Sequence, residues 1–229
     1  MLNIAVDGYS SSGKGIVCTK LARKLGVIHF DTGAMYRVIG LYVLNNNIDP
    51  YDEEAVVNCL KNIHIDVKHN NGEQITILNG EDVSDDIRSS EVGDICSITS
   101  PYPKCRDFVL NIQRKIASQN DLIMEGRDIT SHVLPNADFK FFLDASIDVR
   151  AMRRYEDFIK KGEKITFEEV KADLIERDRR DTQRELSPLI LTEGTIHIDN
   201  SEMTIDEEVD LMYKIIKGDI AKWYFGFYG

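Results

Sequence analysis

Seven residues near the start of the chain, Gly8-Tyr9-Ser10-Ser11-Ser12-Gly13-Lys14, have the types and spacing of G-x-x-x-x-G-K. Such glycines let the backbone curl until successive amide hydrogens face one anion. The helix that follows adds partial positive charge, and the lysine reaches the outer phosphates. The chemistry to expect is the gripping of a nucleoside triphosphate. The next two positions, Gly15 and Ile16, are where a hydroxyl usually helps to hold Mg²⁺, and neither carries one. Mg²⁺ is still expected, held through phosphates, water and a carboxylate such as Asp31 or Asp144, because it commonly keeps several waters. Its ligands are not named by the pattern. The base-reading Asn-Lys-x-Asp segment of switch GTPases does not occur.

A second constellation lies in the later part of the chain. On a helix expected over Phe167 to Leu186, Arg177, Asp181 and Arg184 fall at i, i+4 and i+7 and share one face. A carboxylate set between two guanidiniums can bind phosphate while accepting from sugar hydroxyls. The competing reading is a solvated face of salt bridges, which suits Arg179 better than Arg177.

These arginines stand out because the whole molecule is acidic. There are 28 basic and 39 acidic residues, a formal net charge of −11. That field repels phosphate backbones and acidic lipid surfaces, so neither nucleic acid nor membrane is an expected partner. The first residues carry no basic region followed by an apolar run, and no window approaches eighteen apolar residues. A cytoplasmic monomer acting on small molecules is expected. Cys18, Cys59, Cys96 and Cys105 show no C-x-x-C spacing and read as reduced, packed thiols.

The elements that must position these groups follow from periodicity. Leu2 to Val6 is an apolar strand, Lys14 to Leu25 a helix, Val27 to Phe30 a second strand and Ala34 to Leu44 a second helix. This βαβα alternation predicts an α/β fold on a central parallel sheet. From about residue 45 to 100 the rhythm changes. Ile63 to Val67 and Gln74 to Leu78 suggest a hairpin turned at Asn70-Asn71-Gly72, within an inserted region. The core resumes with a helix near Arg106 to Ser118, strands at Leu122 to Met124 and Phe139 to Leu143, and a helix near Asp148 to Lys160. Thr166-x-x-Glu169 and Thr204-x-x-Glu207 fit capping boxes, and Thr195 to Ile198 reads as a last strand before a final helix. The aromatic tail Trp223 to Tyr228 reads as core cover or a loose end.

Four stretches together carry a family resemblance: Asp31-Thr32-Gly33-Ala34-Met35-Tyr36-Arg37, Leu78 to Arg88, Glu125-Gly126-Arg127-Asp128, and Arg177 to Arg184. In order and spacing they resemble bacterial cytidylate kinases over nearly the whole chain. The resemblance implies a three-layer P-loop nucleoside monophosphate kinase fold, one domain over 1–229 with an inserted monophosphate-binding region at about 45–100 and a short lid at about 153–166. It implies transfer of phosphate from ATP to CMP or dCMP. It places Thr32 and Arg37 beside the acceptor nucleotide, Arg127 on its phosphate, and Ser97, Arg106 and Asp128 around cytosine. Arg177, Asp181 and Arg184 complete the sugar and phosphate contacts, and Arg153 and Arg154 contact the donor. Lys14, Arg127 and Arg184 are expected to carry the catalytic load. Thr130 stands where the family commonly has glycine. Two alternatives remain open: a kinase for another small acceptor such as UMP, and a nucleotide-binding relative that no longer catalyses.

Overall fold

The computed structural model describes residues 1–70 and 73–219. The tip of the expected Asn70-Asn71-Gly72 turn and the aromatic tail lie outside the described residues. The chain opens with β1 (Asn3–Gly8), α1 (Lys14–Leu25), β2 (Ile28–Asp31), α2 (Thr32–Asn45), α3 (Glu53–Cys59), β3 (Ile65–Asn70), β4 (Glu73–Leu78) and β5 (Glu81–Asp82). It continues with α4 (Ser90–Thr99), α5 (Pro103–Ala117), β6 (Leu122–Glu125), β7 (Phe139–Asp144), α6 (Ile147–Lys160), α7 (Phe167–Gln183), β8 (Ile196–Asp199) and α8 (Ile205–Lys217). Two compact units divide these elements: 28–122, with Met1, and 2–27 together with the residues from 123 onward.

The second of these units carries strands of the parallel sheet in the order β6-β1-β7-β8. β1 lies parallel to β7, with Gly8 opposite Leu143, and β7 lies parallel to β8. The strands read as apolar runs because helices cover both faces of such a sheet. Ile4, Val6, Ile123, Phe141, Leu143 and Ile198 bury with Val17 and Leu21 of α1 and Val209 and Met212 of α8. Both capping boxes form, and the Glu169 and Glu207 carboxylates accept from the Thr166 and Thr204 amides at 2.8 and 2.9 Å. A smaller core of Ala151, Val170 and Leu174, flanked by Tyr155, Phe158 and Phe167, joins α6 to α7. The range expected to form a lid comprises the later part of α6 and the connection to α7, where Gly162 takes φ 77°.

In the unit 28–122, β3, β4 and β5 form an antiparallel sheet, and α2 packs on α4. The packing is close: a Cβ at Gly40 would stand 3.1 Å from the Val92 carbonyl oxygen. Gln74 of β4 ties the hairpin to β2, accepting from the Asp31 amide at 2.8 Å. The inserted region expected at about 45–100 falls inside this unit. The four cysteines are free, and Cys18, Cys59 and Cys105 are buried. Burial pushes the Cys105 thiol up to about 12, with the nearby Cys59 adding to the shift.

One boundary needs correction. The helix expected through Leu186 ends at Gln183. Ser187 takes φ 49° immediately before Pro188, whose ring disfavours helical geometry in the preceding residue.

Candidate active site

The loop after β1 is shaped by backbone that side chains would block. A Cβ at Gly8 would lie 2.0 Å from the Leu143 carbonyl oxygen, so only glycine lets β1 turn there against β7. Gly13, at φ 91°, is the residue that starts α1. Between them Ser11 holds φ 59°, a left-handed conformation uncommon outside glycine. Lys14 folds back into this loop and is almost wholly buried. Its Nζ donates to the Gly8 carbonyl at 2.8 Å, the Tyr9 carbonyl at 2.6 Å and Ser12 Oγ at 3.3 Å. Burial, helped by the Arg127 charge, lowers its pKa to about 7, while Glu125, Cys18 and Asp7 pull the other way. The ammonium thus sits where an incoming phosphate supplies the counter-charge it lacks.

Three arginines brace the same loop. Arg127 Nη2 donates to Ser10 Oγ at 2.8 Å, and its Nε pairs with Asp181 at 2.9 Å. Arg150 is 5% exposed; it donates to the Ser10 carbonyl at 3.2 Å, pairs with Asp178 at 2.7 Å and lies over the Tyr9 ring. Burial pushes the Asp178 carboxyl up, against the pull of Arg150. Arg153 donates to Asn200 Oδ1 at 2.9 Å and reaches the Ser12 carbonyl at 3.4 Å, whereas Arg154 is exposed and lies over Phe158. Sequence reasoning missed Arg150 and Asn200, and expected Asp178 to pair with arginines of its own helix rather than with Arg150. Arg150 had a signal, since it precedes Arg153 by one helical turn. Asn200 had none.

The α7 constellation comes together, by a different route for its last member. Burial works against the Asp181 charge, yet Arg127, Arg177 and Arg184 together hold its carboxyl below the usual range. Arg184 is not on the helical face. It stands just past the end of α7 with extended ψ 143°, anchored through Nε to the Ser187 carbonyl at 2.7 Å. Its Nη2 lies 4.0 Å from Asp128 Oδ1. Arg179 pairs instead with Glu176 on the exposed face, as the salt-bridge reading expects.

Arg127 and Asp128 precede a turn that Asp7 pins. Asp7, wholly buried at the end of β1, accepts from the Ile129 amide at 2.9 Å and from the Thr130 amide and hydroxyl at 2.7 Å each. Burial raises its pKa, and those three donors oppose the rise. The turn itself is a single π turn over Ile129–Val133. Thr130 therefore stands in a structural role at this position: its hydroxyl helps to satisfy a buried carboxylate next to the phosphate loop.

In the unit 28–122, the residues assigned to the acceptor are held separately. Thr32 is buried at the first position of α2, whose N-cap is Asp31. Arg37 Nη1 donates to the Ile87 carbonyl at 3.0 Å, beside Gly93. Arg106 is buried, not a surface residue, and lies over the Tyr36 ring while donating to the Ser100 carbonyl at 3.4 Å. The Ser97 hydroxyl gives its proton to the Gly93 carbonyl at 3.0 Å.

The residues around the loop fit a divalent cation despite Gly15 and Ile16. Ile16 is 55% exposed and apolar, but Glu125 Oε1 lies 3.4 Å from where a Cβ at Gly15 would stand, offering a hard oxygen beside the cradle. Asp144 faces His197 Nε2 at 3.3 Å, and Asp31 accepts from the Gly33 amide at 2.9 Å.

A strand, a glycine turn on a buried lysine, and a ring of arginines braced by carboxylates form an arrangement for phosphoryl groups. Comparison with known proteins agrees. The family model described as Cytidylate kinase matches residues 4–218. A protein of Caldicellulosiruptor bescii named Cytidylate kinase is 40% identical over 96% of this chain and 99% of its own length. A second of that name, from Caldanaerobacter subterraneus subsp. tengcongensis, is 43% identical over 94% of this chain and 95% of its own. Among solved structures, an uncharacterized protein of Eubacterium ventriosum matches over 95% of this chain with a TM-score of 0.52 at 13% identity, a likeness of fold. With its phosphate cradle, its arginines and a match over nearly its full length, this chain belongs to the cytidylate kinase family.

Proposed function

We propose that the protein transfers the γ-phosphoryl group of ATP to CMP or dCMP, yielding ADP and CDP or dCDP. The observation that carries this reading is the buried Lys14 in its glycine cradle, with Arg127 bonded to Ser10 of the same loop, in a chain of this family. The bond from the γ-phosphorus to the bridging oxygen breaks, and a bond to a phosphate oxygen of the acceptor forms. That oxygen is already anionic, so no general base is needed, and catalysis rests on alignment and on neutralising the equatorial oxygens.

Lys14 binds the outer phosphates of the donor, and Arg153 and Arg154 contact its polyphosphate. Arg127 and Arg184 hold the acceptor phosphate and the group in transfer. Arg177 adds phosphate contact, and Asp181 accepts from sugar hydroxyls while fixing Arg127. Thr32 and Arg37 bind the acceptor. Asp128 accepts from the exocyclic amine of cytosine and Arg106 donates to its ring; Ser97 donates as well once its hydroxyl turns from Gly93. Uracil reverses donor and acceptor on that edge, so it would leave these groups unpaired. Glu125 is the carboxylate we assign to holding Mg²⁺, which when bound would supply positive charge against the donor phosphates. The four free cysteines support a reducing, cytoplasmic setting.

The test is ADP release with ATP and Mg²⁺ and, at equal concentration, CMP, dCMP, UMP, AMP or shikimate. Fast turnover with both cytosine nucleotides and little with the others is expected. Equal or faster turnover with UMP or shikimate would replace the assigned acceptor. Nucleotide binding with no acceptor-dependent release would favour a relative that no longer catalyses.

A further inference from the structure

A chain of buried polar groups behind the cradle has no part in the roles assigned above. Glu208, on the first turns of α8, is 2% exposed, and Asn200, just past β8, is 1% exposed. Asn200 Nδ2 donates to the Ser12 carbonyl at 2.8 Å and to both carboxylate oxygens of Glu208 at 3.0 Å. On its other side, Asn200 Oδ1 accepts from Arg153 Nη1 at 2.9 Å, and its backbone carbonyl accepts from Arg153 Nη2 at 3.1 Å.

The amide orientation is fixed by chemistry. Turning it over would set its oxygen against a carbonyl and a carboxylate and its NH₂ against a guanidinium, so every contact would become repulsive. Asn200 therefore acts as an adaptor, with a carboxylate and a cradle carbonyl on one side and an arginine on the other. A buried carboxylate is a costly way to hold a loop; an apolar residue packs an α8 position more cheaply. The polarity Glu208 imposes on Asn200 gives the cost a purpose. Nη1 of the arginine so held lies 3.9 Å from where a Cβ at Gly13 would stand, at the turn immediately before Lys14.

We infer that Asn200 and Glu208 are positioning residues for the donor nucleotide, locking Arg153 and the Ser12 carbonyl into the arrangement that receives its polyphosphate. The inference rests on the reading of this chain as a kinase and goes beyond it, because neither residue touches the reacting atoms. It is specific to the donor, so it separates from mere structural support in the kinetic constants.

The experiment measures the KM of ATP at saturating CMP, and the KM of CMP at saturating ATP, for Asn200→Ala, Asn200→Ser, Glu208→Val and Glu208→Gln, with Tm recorded for each. Asn200→Ala and Glu208→Val should raise the ATP constant about tenfold, the size of a lost hydrogen bond to a charged group, and leave the CMP constant within about twofold. Glu208→Gln keeps one acceptor for Asn200 and should be impaired less than Glu208→Val. If Asn200→Ala does not fold, Asn200→Ser decides, since its hydroxyl cannot span from Glu208 to Arg153 and the ATP constant should rise several-fold. Equal rises in both constants, a change in Tm alone, or a glutamine variant as impaired as the valine one would overturn the inference. Should the wild type show no CMP-dependent turnover, the functional reading fails by itself. The affinity of these variants for a fluorescent ATP analogue then decides: weaker binding in Asn200→Ser upholds the positioning role, and unchanged binding overturns it.

Discussion

In the unit that holds the phosphate cradle, arginines lean on carboxylates: Arg127 on Asp181, Arg150 on Asp178, Arg184 toward Asp128. In the unit 28–122, Arg37 leans on the Ile87 carbonyl and Arg106 lies over the Tyr36 ring. The two modes do different work. A carboxylate stands in for a phosphate, so Arg127 is charge-balanced before substrate arrives and can exchange one anion for another. A carbonyl only aims a guanidinium. Arg37 is thereby oriented without having its charge cancelled by that contact.

Substitutions can break this contrast. The largest loss falls on the lysine of the cradle: Lys14→Ala should cut turnover by about a thousandfold or more while far-ultraviolet dichroism stays unchanged. Arg127→Ala should cost about a thousandfold in turnover and also about 2 kcal/mol in denaturant unfolding, because the partly buried Asp181 loses its ion-pair partner at 2.9 Å. Adding Asp181→Ala to that variant should return the stability and not the rate; recovery of neither would contradict the exchange idea. Arg37→Ala should raise the KM of the acceptor about tenfold with a stability loss of no more than about 1 kcal/mol. A large loss of stability there would erase the distinction between the units.

Thr130→Val tests the pin rather than the arginines. It removes one of the three donors to buried Asp7 and should cost about 2 kcal/mol of stability, read from urea unfolding, with a smaller effect on turnover. The smallest effect is a proton. Lys14 has its pKa lowered to about 7 in the free protein, so above that pH it is largely neutral, and bound phosphates restore its charge. Binding of ATP between about pH 7 and 9 should then take up close to one proton, and donor affinity should fall as pH rises through that window. Calorimetry in buffers of different ionisation enthalpy reads the uptake directly; release of a proton, or none, would refute the assignment.

How much of this was legible in the sequence depended on what fixes each element. α1 was read to the residue because glycines bracket it: Gly13 starts it and Gly26, at φ 73°, ends it. The strands of the parallel sheet were read within a residue or two because burial on both faces makes them continuous apolar runs. α3 and α4 were not foreseen. α4 carries Gly93 in its interior and β-branched residues, and close packing on α2 settles its state. The cradle was legible because its pattern is local. Arg184 was expected on the helical face and stands just past it, because the periodicity does not show that the helix ends at Gln183. Asn200 and Glu208 could not be seen at all: only burial sets an ordinary asparagine and a helix glutamate apart from their exposed equivalents.

The central claim, transfer of a phosphoryl group to a cytosine monophosphate, is met most directly by following the phosphate itself. With ATP labelled at the γ-phosphate, Mg²⁺ and CMP, the account predicts that the label appears in CDP, at a rate matching ADP formation and dependent on Lys14. Label accumulating as inorganic phosphate at the same rate with or without CMP, or remaining in ATP, would contradict it.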